Sequence, residues 1–396
     1  MYGQIDYDDK GSAMRIGIIR PDSIGDAVLA SSMLVYFKQA FPQAEIIVIC
    51  QDFIKSLYIH CPYVDDVIAF NKRQFSTHNA YRKKLLQDLS HYFFDAIFNT
   101  VFTRERSLDC LATLVGASRT VAFRVMQKRG RYGFAWRYNW RYTDLITPLP
   151  GWQSELGRHQ EFLAYLGIQS VNLQPALWLG ADDELYAENF FIERGLINKK
   201  VIALFAGAQY ACRDYSYYGK ALYEAFGNDP DIVVLGFGAM QDADITTQTM
   251  AGILYDFINL CGVTTLLQAA ALLKRCTFGL GAETGLAHIA CAVGLPHVII
   301  LGGGHIGRFM PYSFLTTSVI LPLNCYGCDW RCKYATEYCV KSVQVEVVAY
   351  ALKIVKEEPL GKKPRVFMQK KLPIEHDTIA WQKPDKFLID VEYYYV

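Results

Sequence analysis

The sequence predicts an α/β protein made of two Rossmann-like domains that face each other across a cleft. The chain of 396 residues is longer than one hydrophobic core usually serves, since domains commonly have about 100 to 200 residues. Short apolar runs of strand length also alternate with helical patterns in both halves of the chain. Such alternation is typical of parallel sheets that are covered by helices on both faces.

The first half begins with a strand, a turn and a helix. The strand is predicted in MRIGIIR from Met14, the turn in RPDSIGD, and one continuous helix over 27–40. Further strands are predicted at 44–50, 66–70, 95–101 and 119–123, with helices near 53–60, 77–92 and 105–115. We assign residues 14–168 to an amino-terminal domain.

The second half repeats this alternation after a helix near 155–166 and a linker near 167–183. Its predicted strands are 200–208, 231–238, 276–285 and 297–304, and its predicted helices are 216–226, 264–274 and 284–293. We assign residues 175–342 to a carboxyl-terminal domain, 343–358 to a closing helix and 359–396 to a tail. Ligands of such sheets bind beyond the carboxyl ends of the strands, so the residues that follow each strand are the candidates for chemistry.

Composition excludes several classes of protein. Hydrophobic residues make up 52% and charged residues 20% of the chain, which is typical of a folded protein and not of a disordered one. A formal net charge of +1 argues against a surface built to bind nucleic acid, and we expect no such partner. We find neither a signal-peptide pattern nor an uninterrupted apolar span, so we expect a cytoplasmic location.

Asp26 follows the first predicted strand, within SIGDAVLASS. An aspartate at the start of a helix can cap it by accepting amide hydrogen bonds, and composition alone favours that role. At the mouth of an interdomain cleft, the same carboxylate could take a proton from an acceptor hydroxyl as a general base.

A glycine-rich turn in GLGAETGLAHIA, residues 279–290, leads from a strand into a helix near Thr284. The amides of Thr284, Gly285 and Leu286 would lie at the helix start, where the backbone favours a diphosphate. His288 lies one turn further along the same face, where it could contact a ligand or be a structural residue.

Three other residues follow strands of the second half. Arg213 lies in the loop within FAGAQYACRDYSYYGKAL, where it could reach a phosphate or lie on the surface as an ordinary loop arginine. Gly207 and Gly236 stand at strand ends, where a base or ribose could pack.

Four of the eleven cysteines form the pattern C-x2-C-x3-C-x6-C: Cys325, Cys328, Cys332 and Cys339. Four thiolates at this spacing could surround one tetrahedral zinc or iron ion. Disulfides are the alternative, which a cytosolic location disfavours. We predict a structural metal site without an open position for catalysis.

The segment 123–142, FRVMQKRGRYGFAWRYNWRY, contains six basic and seven aromatic residues. It could contact an acceptor or a membrane surface, or pack against the second domain or another subunit. A nucleic-acid surface is a third, less favoured interpretation. Of the functional roles we favour contact with the acceptor.

The segments together resemble glycosyltransferase family 9, which includes the ADP-heptose:lipopolysaccharide heptosyltransferases. The resemblance spans roughly 14–356 and is carried by RIGIIRPDSIGDAVLASS, GAQYACRDYSYYGKAL, GVTTLLQAAALL and GLGAETGLAHIACAVGLPHVIILGG. It implies a GT-B fold and an inverting transfer from a nucleotide-diphosphate sugar, with an ADP-sugar favoured. It also implies no metal ion at the transfer site.

The resemblance assigns roles to individual residues. Asp26 matches the family's catalytic base, while Thr284, Gly285 and His288 match the D-T-G-x-x-H segment that holds the donor phosphates. Arg213 falls near the family's basic residue in its loop.

This chain also departs from the family pattern. Glu283 stands where the family usually has aspartate, and Arg213 where it often has lysine. Ser31 and Ser32 stand where a proline is common.

We therefore expect a transferase that moves a sugar, with heptose implied by the resemblance, to a glycan or a lipid-linked, lipopolysaccharide-type acceptor. Such an acceptor implies peripheral contact with the inner membrane. One alternative is a sugar-nucleotide epimerase, which should use several acid/base residues, whereas the sequence offers one well-placed carboxylate. The other is a non-catalytic protein that binds a nucleotide or a macromolecular partner.

Overall fold

The computed structural model describes residues 13–126, 135–358, 360–370, 387–388 and 390–396. The chain divides into two compact units, Met1–Trp178 (unit 1) and Leu179–Val396 (unit 2). Among the residues described, no helix has the length and apolar character needed to cross a membrane.

Unit 1 is built on a six-stranded parallel sheet. Its strands are β1 (Arg15–Ile19), β2 (Glu45–Gln51), β3 (Asp66–Phe70), β4 (Ala96–Asn99), β5 (Arg119–Phe123) and β6 (Asp144–Ile146), in the order β3-β2-β1-β4-β5-β6. Its helices are α1 (Ile24–Ser31), α2 (Leu34–Ala40), α3 (Lys72–Thr77), α4 (Asn79–Ser90), α5 (Arg106–Leu114) and α6 (Glu155–Tyr165). Short 3-10 helices cover Asp52–Leu57 and Ala135–Arg141. The strand order reverses between β1 and β4, which is where doubly wound sheets bind ligands.

The prediction of one helix over 27–40 is wrong, because the helix is interrupted between α1 and α2. The hydroxyls of Ser31 and Ser32 donate to the carbonyl oxygens of Val28 and Leu29, each at 2.6 Å. Ser31 also accepts a hydrogen bond from the amide of Ala176. Serine side chains that bond to the nearby backbone compete with continued helix.

One other helical prediction in unit 1 needs correction, since the stretch near 53–60 is a 3-10 helix over Asp52–Leu57. The helix predicted near 77–92 is confirmed as α4. The short helix α3 before it was not predicted. Asn71 caps α3 by accepting a hydrogen bond from the amide of Gln74.

Unit 2 is built on an eight-stranded parallel sheet. Its strands are β7 (Lys200–Phe205), β8 (Ile232–Gly236), β9 (Asp256–Asn259), β10 (Phe278–Ala282), β11 (His297–Ile300), β12 (Thr316–Ile320), β13 (Arg365–Met368) and β14 (Glu392–Tyr395), in the order β14-β13-β12-β11-β10-β7-β8-β9. Its helices are α7 (Ala181–Glu193), α8 (Tyr218–Phe226), α9 (Ala243–Met250), α10 (Leu266–Arg275), α11 (Gly285–Val293), α12 (Tyr338–Lys341) and α13 (Val345–Glu357). Two 3-10 turns cover Ala211–Arg213 and Met240–Asp242. The order again reverses, here between β7 and β10.

The tail predicted over 359–396 contributes two strands to this sheet. All four residues of β13 are buried between β12 and β14, and the Phe367 ring stacks on Tyr394 with centroids 4.6 Å apart. Strands of four or five residues carry little periodicity, so β13 and β14, like β9 and β12, were not predicted. The sheet of unit 2 therefore extends to the end of the chain.

Candidate active site

At the point in unit 1 where the strand order reverses, the buried guanidinium of Arg20 gathers three carboxylates. Arg20 follows β1, and its Nη1 donates to the carbonyl oxygen of Thr100, beyond β4, at 2.9 Å. Its Nη2 lies 3.0 Å from Glu155 Oε1 and 3.9 Å from Asp26 Oδ1, and its Nε lies 3.0 Å from Asp22 Oδ2. Residues from β1, α1 and α6 therefore meet around one cation.

Asp26 is the most exposed of these three carboxylates. Its side chain is 23% exposed, compared with 15% for Asp22 and 4% for Glu155. The helix-capping alternative for Asp26 is wrong, because Ser23 holds the capping position of α1 and Asp26 lies three residues later. The Ser23 hydroxyl donates to Asp26 Oδ2 at 2.7 Å. One carboxylate oxygen is thus oriented by Ser23 and the other faces Arg20.

Two of the groups around Arg20 have shifted pKa values. Burial raises the pKa of Asp22 to about 7, and Arg20 opposes this rise. Burial also lowers the pKa of His159, which lies 3.8 Å from Glu155, to about 3. His159 is therefore neutral at physiological pH, and Asp22 is partly protonated there.

Sequence reasoning found Asp26 but missed Arg20, Asp22, Glu155 and His159. Arg20 and Asp22 lie in the same turn as Asp26, and that clustering of charges after a strand was an available signal. Glu155 lies 135 residues from Arg20, so no local pattern connects the two. Only the packing of α6 brings this carboxylate to the cluster.

In unit 2, the turn after β10 lies where the strand order reverses. Thr284 is in the capping position of α11 with extended backbone, and the helix begins at Gly285, one residue after the predicted start. The first amides of a helix have no partner within it, and here they include those of Gly285 and Leu286. Thr284 Oγ1 is buried and has no hydrogen-bond partner among the described residues.

The structure brings Arg213 to this turn. Arg213 ends a 3-10 helix, and its Nη1 donates to the carbonyl oxygen of Glu283 at 3.1 Å. Burial raises the pKa of Glu283 to about 7, and Arg213 opposes this rise. Within the described part of the chain, Glu283 Oε2 and Arg213 Nε are buried without a hydrogen-bond partner. Arg213 is therefore part of a polar cluster at the start of α11 and not a solvated loop arginine.

His288 is buried against Tyr312. The two rings stack with centroids 5.7 Å apart, and His288 Nδ1 lies 3.4 Å from the Tyr312 hydroxyl. Burial lowers the pKa of His288 to about 3, so the imidazole is neutral. These contacts favour the structural alternative, and a ligand contact by His288 stays a prediction.

Gly207 and Gly236 both have packing reasons to be glycine. A Cβ at Gly207 would collide with the Asp242 carboxylate. A Cβ at Gly236 would lie 2.7 Å from Thr246 Cγ2 and 3.0 Å from Phe257 Cε2. Their predicted contact with a nucleotide stays a prediction.

The four clustered cysteines lie on the loop after β12 and on α12. Burial raises the pKa of Cys325 and Cys328, and raises that of Cys339 to about 12. The charges of other cysteines in the cluster also raise the pKa of each of these three thiols. All eleven cysteines lie in the described ranges as free thiols, so the disulfide alternative has no support. In those same ranges, no three cysteine, histidine or acidic side chains form a group that could hold a metal ion.

A side chain from the cysteine loop reaches Arg213. The guanidinium carbon of Arg213 lies 4.7 Å from the centroid of the Trp330 ring. Trp330 stands between Cys328 and Cys332 and was not among the predicted site residues.

Twelve of the twenty residues of the basic aromatic segment can be placed, since residues 127–134 lie outside the described ranges. Asn139 anchors the 3-10 helix Ala135–Arg141 by accepting from Arg104 Nη1 at 3.1 Å and donating to the Val125 carbonyl oxygen at 3.2 Å. Trp140 on this helix is 77% exposed, and Arg141 lies over its ring. The segment therefore presents an aromatic and a cationic group outward from an anchored backbone.

Comparison with known proteins connects these features to a family. Residues 104–338 match the model of glycosyltransferase family 9 (heptosyltransferase). The lipopolysaccharide core heptosyltransferase OpsX of Haemophilus influenzae is 23% identical over 304 residues, covering 76% of this chain and 83% of the relative. Lipooligosaccharide heptosyltransferase 2 of Haemophilus ducreyi is 24% identical over 308 residues, covering 72% and 82%.

Solved structures share the fold. The Escherichia coli ADP-heptose lps heptosyltransferase II superposes with a TM-score of 0.66 at 19% identity, covering 87% of this chain and all of that one. A family 9 glycosyl transferase from Veillonella parvula gives a TM-score of 0.67 at 16% identity, covering 77% of this chain and 85% of that one. The predicted GT-B class, with two Rossmann-like α/β units, is confirmed. Because the family model matches more than half of the residues, this chain belongs to glycosyltransferase family 9 and is a glycosyltransferase.

Proposed function

We propose that this glycosyltransferase moves a heptose from ADP-heptose to a lipopolysaccharide-type acceptor with inversion at the sugar. The observation that carries the donor assignment is the set of buried polar atoms without described partners at the start of α11, on Glu283, Thr284 and Arg213. Buried polar groups are normally hydrogen-bonded, so such a set is expected to bind a polar ligand. A helix start beside an arginine favours a diphosphate. The relatives' names supply the heptose and the acceptor class.

In the proposed reaction, Asp26 takes the proton of an acceptor hydroxyl. The acceptor oxygen then forms a bond to the anomeric carbon, while the bond from that carbon to the diphosphate oxygen breaks on the opposite face. The negative charge of the leaving ADP is stabilised by Arg213 and by the amides of Gly285 and Leu286. The proton stays on Asp26 until it passes to solvent.

A thermal-shift panel with ADP, UDP, GDP and CMP tests the donor. ADP at 100 times its dissociation constant should stabilise the protein by about 2.7 kcal/mol. Arg213→Ala should abolish this shift, whereas Arg331→Ala, at an exposed arginine of the cysteine loop, should retain it. A shift with UDP, GDP or CMP and none with ADP would assign a different donor nucleotide. The absence of a shift with any of the four would contradict the proposal.

Three carboxylates, those of Asp22, Asp26 and Glu155, meet around Arg20, so the expectation of one well-placed carboxylate is wrong. Membership of the glycosyltransferase family decides against the epimerase and the binding protein instead.

We propose that the segment around Trp140 contacts the acceptor and the membrane surface that carries it. Trp140 and Arg141 offer an indole for the interface and a cation for lipid phosphates. Vesicles that contain phosphatidylglycerol should therefore bind wild-type protein more tightly than Trp140→Ala, with Trp152→Ala as a control elsewhere on unit 1. Equal binding by wild type and Trp140→Ala would contradict this role.

We also propose that the four clustered cysteines hold one structural zinc or iron ion. The support is the donor set itself, four thiols on one short segment that influence each other's charge. In the described structure no three of these thiols lie together as metal ligands, so the ion would have to draw them together. It would cross-link the loop and take no part in sugar transfer. Elemental analysis should find about one ion per chain, lost in Cys328→Ser and kept in Cys110→Ser. Metal-free, fully folded wild-type protein would rule the site out.

A further inference from the structure

We propose that Trp330 is a positioning residue of the donor site, which holds the Arg213 guanidinium in place for the donor's diphosphate. This inference rests on the proposed function of Arg213 and adds a residue that the family resemblance did not supply.

The geometry around Arg213 leaves its edge available to a ligand. Its guanidinium carbon lies over the Trp330 ring, 4.7 Å from the centroid, and its Nη1 donates to the Glu283 carbonyl oxygen. A stacked guanidinium uses its flat face for the aromatic ring, so the N–H groups in its plane can still bind oxygens. Arg213 Nε is buried and lacks a described partner, as expected for a donor awaiting an acceptor.

Trp330 contributes a second unsatisfied donor next to Arg213. Its indole Nε1 is buried without a hydrogen-bond partner in the part of the chain that the structure describes. Buried indole N–H groups usually have a partner. Two such donors, on side chains that contact each other, indicate a polar ligand at this place.

The backbone around Trp330 is held in a costly conformation. Asp329 and Trp330 have φ angles of +53° and +58°, in the left-handed region that side chains other than glycine rarely adopt. The Asp329 carboxylate lies 2.7 Å from His305 Nε2, and the Asp329 amide donates to the Gly304 carbonyl oxygen at 3.1 Å. These bonds connect the cysteine loop to the residues after β11 and aim the indole at Arg213.

The glycines after β11 leave room for this indole. A Cβ at Gly304 would lie 2.7 Å from Trp330 Cγ, and a Cβ at Gly302 would lie 2.5 Å from Trp330 Cη2. Both glycines are therefore required by the position of Trp330. Gly304→Ala should displace the ring without removing it.

A double-mutant cycle in ligand affinity tests the inference. Isothermal titration with ADP and with adenosine is made on wild type, Arg213→Ala, Trp330→Leu, Trp330→Phe and the double variant Arg213→Ala/Trp330→Leu. Trp330→Leu should weaken ADP binding by about tenfold, since stacking no longer holds the guanidinium. Trp330→Phe should restore most of the affinity, and adenosine, which lacks phosphates, should bind all variants alike. In the Arg213→Ala background, Trp330→Leu should cause no further loss.

The outcomes separate the inference from the proposed function. If wild type does not bind ADP, or if Arg213→Ala binds it as well as wild type, the proposed donor site fails. If Arg213→Ala weakens ADP binding but Trp330→Leu does not, the role of Trp330 fails. It also fails if Trp330→Leu weakens ADP binding as much in the Arg213→Ala background as in wild type. An equal loss of adenosine affinity would show a merely structural role. Should Trp330→Leu not fold, Gly304→Ala replaces it with the same expected pattern.

Discussion

Replacement of Asp26 by asparagine is expected to lower turnover by about 100-fold to 10,000-fold while ADP affinity stays at the wild-type value. Asparagine has nearly the shape of aspartate and can still accept the Ser23 hydroxyl, but it cannot take a proton from the acceptor. The proposed ADP contacts lie in unit 2, whereas Asp26 lies in unit 1. Steady-state transfer rates and an ADP titration of the same preparation measure the two effects.

Ser23→Ala is the matched control for Asp26→Asn. It removes the hydroxyl that orients the carboxylate but leaves the base, so its loss in rate should be much smaller. Asp26→Asn with nearly wild-type turnover would contradict the assignment and turn attention to Asp22 and Glu155. A parallel loss of ADP affinity would indicate damage to the fold instead.

Replacement of Arg20 by methionine is expected to destabilise unit 1 by about 3–5 kcal/mol. The cation is buried, and its removal takes away the ion pairs that Glu155 and Asp22 make with it at 3.0 Å. Arg15→Met, at the start of β1, is the control, because the Arg15–Glu45 ion pair is partly exposed and should contribute at most about 1 kcal/mol. Calorimetric or urea unfolding of both variants gives the comparison, and equal losses would contradict the buried-cation argument.

The loss in Arg20→Met should depend on pH. Burial raises the pKa of Asp22 above its ordinary value of 3.8 to about 7, so the folded state binds this proton more tightly than the unfolded state does. The contribution of Asp22 to the free energy of unfolding therefore falls as pH rises through this range. Without Arg20 the pKa of Asp22 should rise further, so the fall should continue to higher pH. Arg20→Met should thus lose more stability relative to wild type at pH 8 than at pH 5.

The features that were predicted correctly are those that depend on the pattern of residues close together in the sequence. Alternating apolar runs and helical stretches established two parallel-sheet units, since strand and helix periodicities are set by neighbouring residues. The start of α11 next to Thr284 also follows from a short segment. The break at Ser31 was missed because side chains that bond to the backbone interrupt a helix without changing its apolar pattern.

The sequence by itself determined the α/β class, the two units and candidate residues at each switch of strand order. Tertiary structure alone decided that Glu155 joins Asp22 and Asp26 around Arg20, and that Trp330 lies against Arg213. These contacts join segments that are far apart in the chain, and their charges and exposures depend on burial created by the whole sheet. No local pattern carries that information, because the environment of a side chain is a property of what packs against it.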